Sequence, residues 1–185
     1  MAISQPRTKP LAGSNETVNE LITYDIGICC YGSALIAASE KGLCAVFLGE
    51  HPEKLLNELH QQFPGAELSV GDAEFESTVS TVIQYIEKPD QKLKTKLDIR
   101  GTRFQKQVWE LLTQIPFGKT SNYTEIAMQL GSPKSVRAVA QACGANKLAV
   151  IIPCHRVIRI DKELSGYRWG VELKKKLLLK EGVTL

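Results

Sequence analysis

From Leu21 to Leu48, short apolar runs (LITYDIG, SALIAAS and LCAVFLG) are separated by Tyr31-Gly32 and the charged Glu40-Lys41-Gly42. Runs of this length between turn residues predict two or three antiparallel strands joined by tight turns. The period then changes. In PEKLLNELHQQF, the residues Leu55, Leu56, Leu59 and Phe63 share one helical face. Beyond Pro64-Gly65 a second helix is predicted from Asp72 to Glu87, with Phe75, Val79, Val82, Ile83 and Ile86 turned inward. The polar segment KPDQKLKTK reads as a solvated connector. It separates a domain over 18–97 from a domain over 98–185, behind a 1–17 tail rich in Ser, Pro, Gly and Asn that is expected to be disordered.

The second domain is dominated by helices. Thr102-Arg103-Phe104-Gln105 has the form of a capping box, in which hydroxyl and amide satisfy free backbone donors at a helix start. The helix buries Phe104, Val108, Leu111, Leu112 and Ile115 and stops at Gly118. Asn122, with Glu125 in the third position after it, starts another helix through Ile126, Ala127 and Leu130 to Gly131. Ser132-Pro133 predicts the next start, with Ser132 as N-cap and Pro133 in the first turn. Val136, Val139, Ala140 and Cys143 form its buried face, which leaves Lys134, Arg137 and Gln141 opposite. Two short helices joined by a Gly-containing turn, the second basic, make a helix-turn-helix pattern. Many helical hairpins bind nothing, so the pattern alone leaves DNA binding open.

Charge sharpens that picture. The 185 residues are 43% hydrophobic and 23% charged, which excludes a fibrous or disordered protein. The net charge of +3 says little. Residues 1–98, however, hold 8 basic and 14 acidic residues (−6), whereas residues 99–185 hold 15 and 6 (+9). Such a split fits a basic functional region joined to an acidic one, or a chance cluster of solvated charges. The five cysteines form no CxxC pair and match no zinc module. The polar start has no apolar core of a secretory signal, and no apolar run nears the ~18 residues of a membrane span. A cytoplasmic, nucleoid-associated protein with reduced thiols is the expectation.

The chemistry concentrates in NKLAVIIPCHRVI, Asn146 to Ile158. LAVII predicts a buried strand that ends at Pro153 and delivers Cys154, His155 and Arg156 to a loop. An imidazole and a guanidinium beside the sulfur are expected to lower its pKa. A buried structural cysteine is the other reading. Neighbouring side chains of an extended chain point apart, so His155 needs a bridging water or a sharp turn to serve Cys154. In VELKKKLLLKEG, Glu181 falls on the apolar face of Leu173, Leu177 and Leu178 and needs a partner, for which His155 is available. A solvated Glu181 on a frayed turn is the alternative. Lys174, Lys175 and Lys176 read as a solvated face.

Pro153-Cys154-His155-Arg156-Val157, with Asn146 before it and Ser165-Gly166-Tyr167-Arg168-Trp169-Gly170 after it, resembles the O6-alkylguanine-DNA alkyltransferases. That loop and Asp98-Ile99-Arg100-Gly101-Thr102 are similar to the bacterial adaptive-response (Ada) branch, without its N-terminal zinc and regulatory region, so a stand-alone repair form is expected. The resemblance implies an α+β fold: a small N-terminal ribonuclease H-like α/β domain and a C-terminal winged-helix-like helical domain with the helix-turn-helix. The first domain is expected to be a scaffold behind the site.

The same resemblance implies the roles. Cys154 would accept the alkyl group of O6-alkylguanine, and of O4-alkylthymine, in duplex DNA, once and irreversibly. His155 would act as its base through a water, with Glu181 behind it, and Asn146 would lock the turn. Tyr123 and Tyr167 would hydrogen-bond the flipped base. Backbone at Val157 would read its amine, backbone at Arg168 would face O6, and Lys174 would stand close by. Arg137 would enter the base stack from the minor groove, with Lys134, Ser135 and Thr124 also on the DNA. The partner would be double-stranded DNA and no membrane. The protein would be a monomer, cooperative on DNA or not, and would use no cofactor and no metal. The Cys29-Cys30 pair with His51 and His60 does not reproduce the zinc ligands of some members. Arg168-Trp169 and Ala149 differ from members with small residues in the loop and a proline near the strand, and against that resemblance they imply a tighter pocket that prefers methyl to benzyl groups. Without the resemblance, a DNA-binding regulator and a Cys–His hydrolase stay open, the first leaving the cysteine idle and the second lacking an oxyanion motif.

Overall fold

The computed structural model describes residues 20–164 and 166–184. The tail expected over 1–17, and Ser165 of the loop motif, lie outside the described residues. Three strands, β1 (Leu21–Cys29), β2 (Gly32–Ser39) and β3 (Gly42–Gly49), form the antiparallel meander that the apolar runs predict. A fourth, β4 (Glu67–Val70), joins β1 in parallel, giving the order β3-β2-β1-β4. The hydrophobic pattern misses β4 because this edge strand buries almost nothing.

Helix α1 (Pro52–Gln62) covers one face of the sheet, where Leu55, Leu59 and Phe63 meet Ile22, Leu35, Ala45 and Phe47. Helix α2 (Ala73–Glu87) covers the other, capped by Asp72 and burying Val79, Val82 and Ile86. That second face does not close on α2 alone. Ala34, Ile36, Val46 and Leu48 continue into an apolar cluster with Val108, Leu112, Val139, Leu148 and Cys154 itself. A single core therefore crosses from one half of the chain to the other, with the cysteine in it.

The outer edge of β3 carries the junction. The Leu43 amide donates to Lys96 O at 2.9 Å, and the Asp98 amide donates to Leu43 O at 2.8 Å. Further along, the Val46 amide donates to Lys147 O at 2.8 Å, and the Ala149 amide donates to Val46 O at 3.0 Å. Gly42 has φ +132° and lies so close to the connector that a Cβ would stand 2.5 Å from Lys96 O. No bulkier residue fits that turn unshifted.

In the second half, α3 (Arg103–Thr113) begins at the predicted capping box, with Gln105 N to Thr102 Oγ1 at 3.2 Å and Thr102 N to Gln105 Oε1 at 2.9 Å. Helix α4 (Tyr123–Gln129) has the matching Asn122–Glu125 box at 2.9 and 3.2 Å. The second helix of the hairpin starts differently from the expectation. Pro133–Ser135 is a 3-10 turn, and α5 begins after it, at Val136–Gly144. The Ser132 side chain caps nothing; its carbonyl instead accepts from the amide and hydroxyl of Ser135, at 2.9 and 2.7 Å.

The LAVII strand does not form. The residues are buried as expected, but only Leu148 makes a bridge, to Val46, and the rest turn. Val150 has φ +67°, and the Ile151 amide donates across it to Ala149 O at 2.7 Å. This is a γ-turn of the strained hand, in a conformation costly for a β-branched residue. Pro153 (φ −80°, ψ 59°) makes a second γ-turn, of the relaxed hand, with the Cys154 amide 2.8 Å from Ile152 O. Two-residue parallel strands β5 (Ser121–Asn122) and β6 (Val157–Ile158) then tie the start of α4 to the chain just past the cysteine. Helix α6 (Val171–Lys180) closes the fold. Among the described residues, no helix is long and apolar enough to cross a membrane.

Candidate active site

Cys154 opens a 3-10 turn, Cys154–Arg156, that follows the two γ-turns. It is 3% exposed, at the base of a cleft of about 470 Å³ also lined by Tyr123, Ala140, Cys143, Gly144, Gly166, Tyr167 and Arg168. The turn is held from inside by Asn146, which is fully buried. Asn146 Oδ1 accepts from the Leu148 amide at 2.8 Å, while Nδ2 donates to Ile152 O at 2.9 Å and to Cys154 Sγ at 3.1 Å. One side chain thus supplies the bonds that a partner strand would have supplied, which is why LAVII can be buried without being a strand.

The tight turn also resolves the geometry of His155. Its ring is fully buried, and Nε2 stands 2.8 Å from Glu181 Oε1. Glu181 sits at the end of α6, buried on the face predicted from Leu177 and Leu178. Sequence reasoning missed its other partners. Arg156 donates to it from Nε at 2.9 Å and from Nη2 at 3.0 Å, and the Gly118 amide donates at 3.3 Å. Arg156 Nη1 also reaches Ile115 O at 2.7 Å. A buried arginine needs a carboxylate, and that rule was the signal available in the sequence.

These contacts set the protonation states. Burial alone would raise the pKa of Glu181, but the hydrogen bonds from His155 and Arg156 outweigh it and hold the carboxyl at about 2. Burial pushes His155 down, against the pull of Glu181. A neutral imidazole giving its Nε2 proton to an ionised Glu181 leaves Nδ1 as the bare nitrogen, and Nδ1 is buried with no protein partner. Cys154 departs from the expectation of a lowered pKa. Burial raises it, and only in part do the Asn146 bond and the Lys174 charge oppose this. Arg156 does not help, since its guanidinium is spent on Glu181. The resting group is a thiol.

The other expected site residues are placed as follows. Tyr123, first residue of α4, and Tyr167 line the cleft with Cys154. The Tyr167 hydroxyl is buried without a partner, and burial drives its pKa well above the phenolic range. Lys174 is not part of a solvated face: it is fully buried and donates to Val157 O at 2.6 Å. Val157 is buried, so its carbonyl has one lone pair engaged by that lysine and its amide is bonded to Cys154 O. The Arg168 side chain reaches Glu58 on α1, Nε to Oε1 at 2.6 Å.

Arg137 is exposed on α5, one turn before Ala140 and two before Gly144, so it lies on the helix face that leads to the cleft. Lys134 is exposed and Ser135 half-buried in the 3-10 turn ahead of it, and Thr124 is half-buried beside Tyr123. All five cysteines are free, and among the described residues no three His, Cys, Asp or Glu side chains converge to hold a metal.

Residues 23–99 match the model of the 6-O-methylguanine DNA methyltransferase ribonuclease-like domain, and residues 103–183 match that of its DNA binding domain. The chain is 50% identical over 163 residues to the bifunctional transcriptional activator/DNA repair enzyme Ada of Escherichia coli, covering 88% of this chain but 46% of that protein. It therefore spans less than half the length of that relative. It is 39% identical to the inducible methylated-DNA–protein-cysteine methyltransferase of Bacillus subtilis, over 77% of this chain and 80% of that one. Among solved structures, the O6-methylguanine methyltransferase of Mycobacterium tuberculosis superposes with a TM-score of 0.68 at 31% identity, over 86% of this chain and 92% of that one. The structure of the same organism's OGT in complex with DNA gives 0.69 at 31% identity, over 87% and 92%. With both halves matched, and with relatives of its own length, the chain belongs to the 6-O-methylguanine DNA methyltransferase family.

Proposed function

We propose that this chain repairs duplex DNA by moving an alkyl group, chiefly methyl, from guanine O6 to Cys154 in a single irreversible turnover. The observation that carries this is the buried Cys154 thiol at the base of a cleft, backed by an imidazole whose one proton is committed to Glu181. O4-alkylthymine fits the same chemistry. The basic second half holds phosphates without reading sequence, as a scanner of rare lesions requires. Lys134, Ser135 and Thr124 contribute to that hold, and Arg137 fills the gap left when the lesion rotates out through the minor groove. Base rotation costs a few kcal/mol, less for a weakened pair.

Inside the cleft, the hydroxyls of Tyr123 and Tyr167 bond the base, while backbone at Val157 and Arg168 reads its edge. The thiol proton passes through a water to His155 Nδ1, and Glu181 stabilises the imidazolium that forms. Sγ then attacks the alkyl carbon in line. The S–C bond forms, the C–O6 bond breaks, and its electron pair leaves on guanine, which Tyr123 helps to neutralise. Guanine finally takes the proton that the thiol gave up, so the step balances without a cofactor. A thioether is a poor leaving group, so nothing in the site regenerates the thiol.

The division of labour at residues 97 and 98, a monomeric state and a cytoplasmic setting belong to this reading. Its test is an intact mass after incubation with duplex DNA carrying O6-methylguanine. One added methyl on Cys154, absent in Cys154→Ser, is expected. Tight DNA binding with no adduct would overturn it in favour of a regulator.

A further inference from the structure

The wall of the cleft opposite α5 is the loop Gly166–Gly170, and its Arg168 does more than line the space. Arg168 Nε donates to Glu58 Oε1 on α1 at 2.6 Å, with both side chains largely buried (15% and 24% exposed). Nη1 of the same guanidinium donates to Gly144 O at the end of α5, at 3.2 Å. The guanidinium also lies over Phe47 of β3 and over Trp169, at 5.6 and 5.9 Å from the ring centres. Trp169 in turn packs on Phe47 at 6.3 Å and meets Tyr167 edge-on at 5.3 Å. Gly144, Tyr167 and Arg168 all face the space that Cys154 opens into. One cation therefore bridges the two walls of the cleft and fastens both to the first half of the chain.

We infer that Arg168 and Glu58 are a positioning pair that fixes the width of the acceptor cleft, and through it the size of alkyl group that Cys154 accepts. The inference rests on the transferase reading. A helix C-terminal carbonyl attracts a cation, so Arg168 holds Gly144 best when its charge is oriented rather than free to swing. Glu58 provides that orientation from α1, in the half of the chain opposite to the one that carries the sulfur. Two positive-φ glycines flank the segment, Gly166 (+31°) and Gly170 (+97°). The loop backbone is therefore easily redirected once the anchor is gone. A slackened wall no longer presses a methyl group into line with Sγ, but it leaves room for a benzyl group. In-line displacement is sensitive to such sub-ångström placement.

The test is single-turnover transfer from duplexes carrying O6-methylguanine or O6-benzylguanine, with the limiting rate and the half-saturating DNA concentration read separately. For Glu58→Ala and Arg168→Lys, the benzyl-to-methyl ratio of limiting rates is expected to rise about tenfold, with half-saturation moving less than about twofold. Glu58→Gln keeps an oxygen for Arg168 Nε and is expected to restore most of the wild-type ratio. A ratio unmoved in Glu58→Ala overturns the inference. So does a parallel fall of both rates with the melting temperature, the mark of a merely structural contact. Wild-type protein that takes no methyl at all overturns the transferase reading along with it.

Discussion

Cys154 shows how far adjacency in sequence can mislead about charge. The neighbouring arginine suggested a standing thiolate, but its guanidinium is turned to Glu181 and burial holds the sulfur protonated. Reactivity then depends on a proton acceptor, which puts weight on one carboxylate. Glu181→Gln removes the countercharge of Arg156 as well as the orienting partner of His155. It is expected to slow methyl transfer by about a hundredfold or more. It should also cost about 3–5 kcal/mol of stability, because a buried guanidinium is left unpaired. Single-turnover kinetics and urea unfolding measure the two separately; a loss of rate alone would mean that Arg156 finds another partner.

The same pair sets the acid response. Glu181 is held at about 2 in the folded chain against an ordinary value of 4.5, so its stabilisation is full above 4.5 and fades as the pH falls towards 2. His155 is lowered from 6.5, so below that pH the unfolded chain gains a proton that the folded one refuses. Both effects favour unfolding in acid. The urea midpoint is expected to fall first as the pH drops below 6.5 and more steeply below 4.5; a flat profile would contradict an ionised Glu181 beside a neutral His155. The His155–Glu181 pairing itself was legible from spacing, because a carboxylate on an apolar helix face has to find a partner.

At the scale of elements, what could be read depended on range. Both capping boxes are local, made of residues three apart, and both form as the sequence predicts. LAVII departs from the expected strand because an unbroken apolar run looks the same in a buried strand and in a buried turn. The difference lies in Asn146, whose side chain bonds replace a neighbouring strand, and no periodicity reveals that. Asn146→Ala is accordingly expected to destabilise the fold by about 2–3 kcal/mol, since the Leu148 amide loses its partner in the core and the Ile152 carbonyl keeps only the Cys154 amide. Transfer should fall with it. Thermal unfolding and alkylation kinetics check the pair, and an unchanged melting temperature would show that the two γ-turns stand without the clamp. Ser132 is the reverse case: a good cap by composition whose side chain stays unused because the chain enters α5 through a 3-10 turn.

Across the whole molecule, the charge split of −6 and +9 follows the division between the sheet half and the helix-turn-helix half. Beyond the expectation that the first domain stands behind the site, the residues that connect the halves are not legible in the sequence. Arg168 and Glu58 stand 110 positions apart, and the apolar cluster that contains Cys154 draws on both halves. Such contacts leave no periodic trace, so the patterning that separates two domains does not show the apolar cluster to which both contribute.

The hydrogen bonds from β3 to Lys96, Asp98, Lys147 and Ala149 have a colloidal consequence. They cover one rim of the sheet, and the residues behind that rim, Leu43 to Leu48, are apolar and buried. A strand with free amides and carbonyls beside an apolar surface is a template for pairing with another copy. Residues 20–95, which leave out all four of those partners, are therefore expected when produced alone to assemble into oligomers, read as mass by light scattering on a sizing column, whereas the full chain elutes as one copy. A monodisperse single copy of the fragment would show that the sheet protects its own rim. The helical half is thus, besides whatever it does to DNA, the cover that keeps its neighbour's strand from joining with a stranger's.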